Sequence, residues 1–278
     1  MNPSASSCPN CGTHLQGKFC HTCGQKVIEK KERTVRHFIY QFVGSAFFLE
    51  NNFLKNLWVL VSQPGRLSLD FIEARRKRWM PPFSLFLLIN LFYFWYSPLT
   101  DLDLRLDEQV RQVHHAKLAS YLVNKRLTER GVGFDEYSEQ YNSKSSSYAN
   151  SLVVLQLPVF ASFLSLIYFR KKYFFIDHLI YALHFFSLVL LLVLVQSGLL
   201  YLFDLFKHRG NVWQILSLGL LAIMLLYTFL IYPFLSLKTT YNQKWLHTAI
   251  AIVPFLLAFV ATLFIYRTLL FLIIFTVT

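Results

Sequence analysis

Residues 178–203 read HLIYALHFFSLVLLLVLVQSGLLYLF and contain no Asp, Glu, Lys or Arg. About 20 predominantly apolar residues in a helix are enough to cross a hydrocarbon core roughly 30 Å thick. The stretch therefore predicts a transmembrane helix, and it makes a membrane protein the first interpretation of the fold.

Four further apolar runs of similar length flank this stretch, at about 81–98, 151–169, 211–235 and 246–267. The whole chain is 55% hydrophobic and 15% charged, whereas soluble domains carry about a quarter charged residues. We expect an all-α polytopic membrane protein with about five transmembrane helices, N-terminal amphipathic helices and a small zinc ribbon.

The ribbon is predicted from the four cysteines of the chain, which form two C-x-x-C pairs within CPNCGTHLQGKFCHTCGQK, residues 8–26. Zn²⁺ favours four thiolates at tetrahedral corners, and paired C-x-x-C turns supply them. Residues 1–26 are the predicted ribbon, and its ligands are Cys8, Cys11, Cys20 and Cys23. Iron–sulfur binding and disulfides are the alternatives.

A shell of four protein ligands leaves no open position for water or substrate, which favours a structural zinc ion over a catalytic one. Gly12 and Gly24 follow the second cysteine of each pair, where the backbone can require a positive φ. Some ribbons bind nucleic acid, but Phe19 is the only aromatic residue here and acidic residues interrupt the basic ones. Nucleic acid is therefore not the expected partner.

Residues 27–79 are predicted to form cytoplasmic or interfacial amphipathic helices. Apolar residues recur at helical spacing in TVRHFIYQFVGSAFF (34–48) and in NNFLKNLWVLV (51–61), and a third short helix is expected at about 67–78. The turn between the last two contains Pro64–Gly65. A soluble helical unit is the alternative.

Residues 80–278 are the predicted helical membrane domain, whose first two spans are separated by an extracytoplasmic loop, 100–150. We expect a helix within 107–127 of this loop, followed by an irregular Gly/Ser/Tyr-rich segment at 131–150. The first span opens with Pro81 and Pro82, which suit a first helical turn.

Orientation follows from the distribution of Lys and Arg, which are enriched in cytoplasmic segments. Residues 1–79 contain 12 Lys and Arg against 5 Asp and Glu, and 100–150 contain 7 against 8. A basic run lies directly before the first span and is expected at the surface of a bilayer with anionic headgroups: Arg75, Arg76, Lys77 and Arg78. The N-terminus is therefore predicted to be cytoplasmic.

Polar residues within the spans are the remaining site candidates. Asp177, Tyr181 and His184 share one helix face, which can be a proton-handling or metal-handling stripe or simply a helix cap and two bonds to neighbouring helices. Arg267 is expected at the outer interface if the last span begins at 246, and buried if the span begins later. The segment 268–278 then lies along the interface or extends the helix.

The N-terminal and juxtamembrane sequence resembles that of an uncharacterised family of bacterial polytopic membrane proteins, a domain of unknown function with an N-terminal zinc ribbon. The resemblance is carried by CPNCG, by FCHTCGQK and by FLKNLWVLVSQPGRLSLDFIEARRKRWMPPFSLFLLINLFYF, and covers roughly residues 8–95. It implies a location in the bacterial inner membrane and implies no activity.

Three functions are consistent with these patterns. The first is a non-enzymatic anchor or adaptor that presents the ribbon to a cytoplasmic protein partner. The second is a transporter or channel for ions or small solutes that uses the polar residues of the third span. The third is a lipid-modifying enzyme, for which only His184, His114 and His115 could be recruited. No catalytic motif is found.

Overall fold

The structure is a computed structural model and describes residues 7–27, 52–96, 105–206 and 212–278. Regular structure in these ranges is helical, apart from two isolated β-bridges in the cysteine head. The amphipathic helix expected within 34–48 lies outside the described residues.

Two compact units make up the chain, the first formed by Met1–Tyr96 and Ala161–Leu256, the second by Ser97–Phe160 and Leu257–Thr278. The α-helices of the described residues, numbered in chain order, are α1 (Phe53–Ser62), α2 (Arg66–Ile72), α3 (Pro82–Tyr96), α4 (Leu106–Arg111), α5 (Ala116–Arg130), α6 (Phe134–Leu152), α7 (Gln156–Ile167), α8 (Phe175–Phe206), α9 (Val212–Leu226), α10 (Tyr232–Thr240) and α11 (Trp245–Val277). A 3₁₀ turn precedes α7, and a π-helical turn joins α9 to α10.

Three segments of the described chain are long and apolar enough to cross a membrane: Phe175–Phe203, Ile215–Thr240 and Trp245–Val277. They correspond to the last three of the five expected spans and indicate a membrane protein. The first expected span forms α3, with 15 residues, and the second forms α7 with its preceding turn, Val153–Ile167. A helix of 15 residues is only about 22 Å long, so these two fall short of the usual spanning length.

The first unit is built around α8, against which α3 packs. Buried apolar residues of α3 recur at helical spacing, at Leu85, Phe86, Ile89 and Tyr93. Burial of these side chains along α8 holds the base of α3 in place, just after the basic run.

Between α1 and α2 the chain makes the expected turn at Pro64–Gly65. Gly65 has a φ of +81°, and a Cβ at this position would lie 2.6 Å from the carbonyl oxygen of Ser236 on α10. The Thr240 hydroxyl donates to the Gly65 carbonyl at 3.4 Å. The turn is therefore pressed directly against α10, which leaves no room for a side chain.

The third amphipathic helix is shorter than expected. It was predicted over 67–78, but α2 ends at Ile72 and Ala74 has a φ of +62°. The Arg75 amide donates to the carbonyl of Asp70 at 2.7 Å, which closes a turn instead of continuing the helix. The basic run therefore lies in a loop.

The second unit corrects the prediction of an irregular segment at 131–150. These residues form most of α6, which begins directly after Gly133 and carries a buried stripe at Tyr137, Tyr141 and Ser145. The stripe has four-residue spacing, and Tyr141 lies 6.1 Å from Phe271 of α11, measured between ring centroids. Tertiary packing of one face has overridden the weak helix propensity of the Ser and Asn residues.

The apolar end of the chain, 268–278, extends α11, which is one of the two outcomes expected. Leu270, Phe271 and Ile274 are buried in the second unit, and Arg126 of α5 lies 4.3 Å from the ring centre of Phe275. Thus the C-terminal part of α11 packs with polar helices.

Gly65→Ala is expected to lower the free energy of unfolding by more than Gly131→Ala does. Both glycines have positive φ, but a Cβ at Gly131 would meet nothing within 4 Å. The control therefore reports only the left-handed strain, roughly 1–2 kcal/mol, whereas Gly65→Ala adds a collision with α10. Equilibrium unfolding of both variants in one detergent measures the difference. Equal losses would contradict the close packing of this turn.

Candidate metal centre and its docking loop

The cysteine head consists of two turns with the same hydrogen-bond pattern. In the first, the Cys8 amide donates to the carbonyl of Thr13 and the Gly12 amide donates to that of Cys8, both at 2.8 Å. In the second, the Cys20 amide donates to Gln25 at 2.9 Å and Gly24 to Cys20 at 2.8 Å. The two turns are therefore equivalent cysteine knuckles, related by a shift of 12 positions.

Gly12 and Gly24 have φ of +78° and +69°, as their positions in the sequence suggest. Each glycine closes its knuckle in a backbone conformation that an L-residue adopts only with strain. The glycines thus allow both cysteines of a pair to face the same point.

The four thiols converge on one centre. Their sulfur atoms all lie within 4.8 Å of one another, with Cys8 and Cys23 3.7 Å apart and Cys11 and Cys20 3.5 Å apart. A tetrahedron with metal–sulfur bonds of about 2.3 Å has edges of about 3.8 Å. The donor set therefore fits a metal ion bound by four thiolates. Within the described residues, these cysteines are the one group of three or more His, Cys, Asp or Glu side chains that could hold a metal.

The environments of the thiols differ. Burial raises the pKa of the Cys8 thiol to about 11. Hydrogen bonding to the side chain and backbone of Thr13 lowers the pKa of the Cys11 thiol to about 6. His14 and His21 are exposed and do not belong to the cluster.

Both knuckles contact the loop that carries the basic run, Ala74–Arg78, which we call the docking loop. From the second knuckle, the Gln25 amide donates to the carbonyl of Ala74, and its oxygen accepts from the amides of Arg76 at 3.1 Å and Lys77 at 3.3 Å. From the first, the Asn10 carbonyl accepts from the Arg78 guanidinium at 2.9 Å. Gln25 is only 6% exposed.

The basic run is largely engaged by the protein itself. Arg75 pairs with Asp70 and Glu73, Arg76 donates to the Phe71 carbonyl at 3.3 Å, and Arg78 contacts the ribbon. Lys77 is exposed. The charges from which the membrane orientation is predicted are therefore also structural.

Asp70 lies at the centre of this arrangement, although the sequence did not single it out. Its side chain is fully buried, and one oxygen accepts from Arg75 at 2.7 Å. The other oxygen accepts from Arg66 at 3.2 Å and from the Trp79 indole at 2.7 Å. Nearby, the amide oxygen of the buried Asn56 accepts from the Met80 amide at 3.2 Å.

On α8, the polar stripe of Asp177, Tyr181 and His184 meets neighbouring segments of the first unit. Asp177 accepts from the Phe174 amide at 2.9 Å, at the beginning of the helix. The Tyr181 and Ser236 hydroxyls lie 2.7 Å apart. The His184 Nδ1 lies 3.0 Å from the Ser68 hydroxyl.

The sequence analysis did not single out His178, a further polar residue of α8 beside this face, whose Nδ1 lies 2.8 Å from the Tyr241 hydroxyl. The stripe therefore ties α8 to α2, to α10 and to the segment after α10. His178 precedes Tyr181 by three residues, a spacing that brings two side chains together on a helix surface, and this was the available signal.

Arg267 belongs to the second unit, so no unit brings it together with the other three polar candidates. It lies close enough to His115 to affect that ring. Burial, together with the charges of His114 and Arg267, lowers the pKa of His115 to about 4. His115 Nε2 lies 2.8 Å from the Gln109 side-chain oxygen. His114 and His115 pack against each other as a polar pair.

One family model matches the chain, over residues 50–94, and it is described as a protein of unknown function (DUF3667). No curated protein and no solved structure matches the chain. The match confirms the expected domain of unknown function. The matched residues include α1, α2, the docking loop and most of α3, and therefore all the partners of Asp70 described above.

Asp70→Asn is expected to lower the free energy of unfolding by roughly 1.5–3 kcal/mol, the usual value for a hydrogen bond to a charged group. The amide keeps the size of the side chain but removes both ion pairs. Equilibrium unfolding in detergent measures the loss.

Glu73→Gln is the matched control, because Glu73 also pairs with Arg75 but is 45% exposed. A loss of less than about 1 kcal/mol is expected for this exposed pair. Comparable losses in the two variants would contradict the central role of the buried carboxylate.

Proposed function

We propose that this protein is a non-enzymatic anchor of the bacterial inner membrane that holds a structural zinc ribbon at the cytoplasmic membrane face for a cytoplasmic protein partner. The observation that carries the proposal is the attachment of the ribbon. Both knuckles are held on the docking loop, while Phe19 stays 62% exposed.

Zinc is the metal best suited to the four cysteines. Zn²⁺ combines tetrahedral geometry with a preference for thiolates, and a four-thiolate shell is typical of structural sites. The ribbon has almost no apolar core, since the buried residues of 7–27 are Cys8, Cys20 and Gln25. A bound ion would supply the folding energy that such a segment lacks.

Phe19 is the feature of the ribbon most suited to a protein partner. It lies directly before Cys20, so the knuckle restricts its position, and its ring is exposed. Aromatic residues, Phe among them, are enriched in the cores of protein–protein interfaces. Attachment at the docking loop would present the ring in one orientation.

The proposed location combines three arguments. The resemblance to bacterial membrane proteins suggests the inner membrane. Free thiolates need a reducing compartment, and the excess of Lys and Arg before α3 supports a cytoplasmic location of the same end. In this topology α3 and α7 also cross the membrane, although each is shorter than a usual span, and the loop 100–150 lies on the other side.

We place α1 in the headgroup zone and not in a separate soluble unit. Its outward side chains Leu54 and Trp58 are 78% and 71% exposed, which favours contact with lipid. Lys55 is also exposed and would reach anionic headgroups.

A transporter or channel is the alternative, and the polar stripe on α8 is its support. Tyr181 and His184 are buried side chains deep in a membrane helix, where polar groups are often functional. Their bonds to Ser236 and Ser68 also suit a role in helix packing. We therefore favour the anchor.

A photocrosslinking amino acid at position 19 is expected to capture a cytoplasmic protein in cells. Cys20→Ser with Cys23→Ser in the same chain should abolish the product and remove about one equivalent of zinc from the purified protein. His184→Ala should change neither. Membrane insertion of all variants is checked by fractionation. If the crosslink persists without the metal, or is lost only with His184→Ala, the anchor function is wrong.

Topology can be tested with reporters that work on opposite sides of the membrane. Alkaline phosphatase needs disulfides and is active only in an oxidising compartment. We expect activity when it is inserted at residue 131 and none when it is fused before residue 7. A fluorescent protein fused at the N-terminus should fluoresce. The reverse pattern would place the ribbon outside and remove the argument for a cytoplasmic partner.

A further inference from the structure

We propose that the ribbon is a metal-dependent latch: binding of the metal fixes Asn10 and Gln25 where they hold the docking loop, and loss of the metal releases that loop. The inference rests on the metal site of the proposed function. It adds a consequence of metal binding inside the protein, independent of any partner.

The latch contacts belong to the metal knuckles themselves. Asn10 lies between Cys8 and Cys11, and Gln25 follows Cys23 by two residues. The carbonyl of Gln25 also accepts the Cys20 amide at 2.9 Å, which closes the second knuckle. The positions of both contact residues therefore depend on the turns that the metal holds.

The ribbon has little else to keep this shape. Outside the cysteines, Gln25 is the one buried side chain of residues 7–27, and it is buried because it is docked. A segment without an apolar core depends on its ion for folding. Removal of the metal is therefore expected to disorder both knuckles and both contacts together.

The docking loop, in turn, depends on Gln25. The amides of Arg76 and Lys77 both donate to the Gln25 side-chain oxygen, and the Ala74 carbonyl accepts from its nitrogen. Ala74 also holds a left-handed φ of +62°, which is unfavourable for an L-residue. When Gln25 leaves, the backbone of the loop loses its three hydrogen bonds to the Gln25 side chain. The strained Ala74 also loses a restraint.

The effect would stop short of the membrane helices, although Trp79 and α3 follow the loop. The state of the metal would thus set the order of the backbone from Ala74 to Lys77, while Trp79 and Met80 keep their bonds to Asp70 and Asn56. By reciprocity, a docked ribbon must also bind its metal more tightly than an undocked one.

Hydrogen–deuterium exchange of the full-length protein in lipid nanodiscs tests the latch directly. The readout is the protection of the Arg76 and Lys77 amides, in zinc-loaded protein and after treatment with a chelator. Zinc content is measured on the same samples. Exchange of amides within α8 shows whether the helical bundle stays intact.

Chelation is expected to reduce protection of these two amides by about tenfold or more and to leave α8 unchanged. Gln25→Ala should give the same loss with zinc present, and a chelator should remove its zinc faster. Gln16→Ala, which alters an exposed glutamine of the same ribbon, should behave like the unmodified protein.

Unchanged protection after zinc removal, or in zinc-loaded Gln25→Ala, overturns the latch and leaves the zinc site in place. A protein that binds no zinc overturns the metal role in the proposed function together with the latch. If zinc removal abolishes the crosslink to the partner but leaves the protection of the Arg76 and Lys77 amides unchanged, the latch alone is overturned. The three failures are therefore distinguishable.

Discussion

The buried carboxylate of Asp70 is the constraint on which the juxtamembrane structure depends. A charge removed from water is stable only when it is paired and hydrogen-bonded, and Asp70 meets this demand with two arginines and the Trp79 indole. Its partners are Arg66 of α2, Arg75 of the docking loop and Trp79, which directly follows that loop. One side chain therefore fixes Arg75 and Trp79, at the two ends of the docking loop, against α2.

This dependence explains the position of the ribbon. The pairing of Arg75 with Asp70 bends the chain after Ile72, and the bend exposes the backbone amides of Arg76 and Lys77 to Gln25. Arg78 then projects to Asn10. A continuous helix over 67–78 would have used these amides in its own hydrogen bonds, and the ribbon would have had no backbone to bind.

Sequence reasoning succeeded where a local pattern had one physical solution. Apolar length predicted the last three long apolar helices, Pro64–Gly65 predicted the turn, and the cysteine spacing predicted the convergence of four thiols. It failed for α6, whose polar composition suggested an irregular segment, because the stripe from Tyr137 to Ser145 is recognisable only once α11 is available to cover it. Gln25 gave no signal at all, since its contacts lie about 50 residues away along the chain.

The basic run shows how one set of residues can satisfy two requirements. In general, Lys and Arg before a transmembrane helix favour retention of that end on the cytoplasmic side, and that preference depends on charge, not on conformation. The conformation is therefore free to serve the fold, and three of the four side chains contact protein groups within the first unit. Neutral replacements in this run would alter both orientation and packing, whereas exchange of Arg78 for Lys keeps the charge and removes the planar guanidinium that contacts Asn10. Arg78→Lys therefore separates the topological role predicted for the run from its structural role.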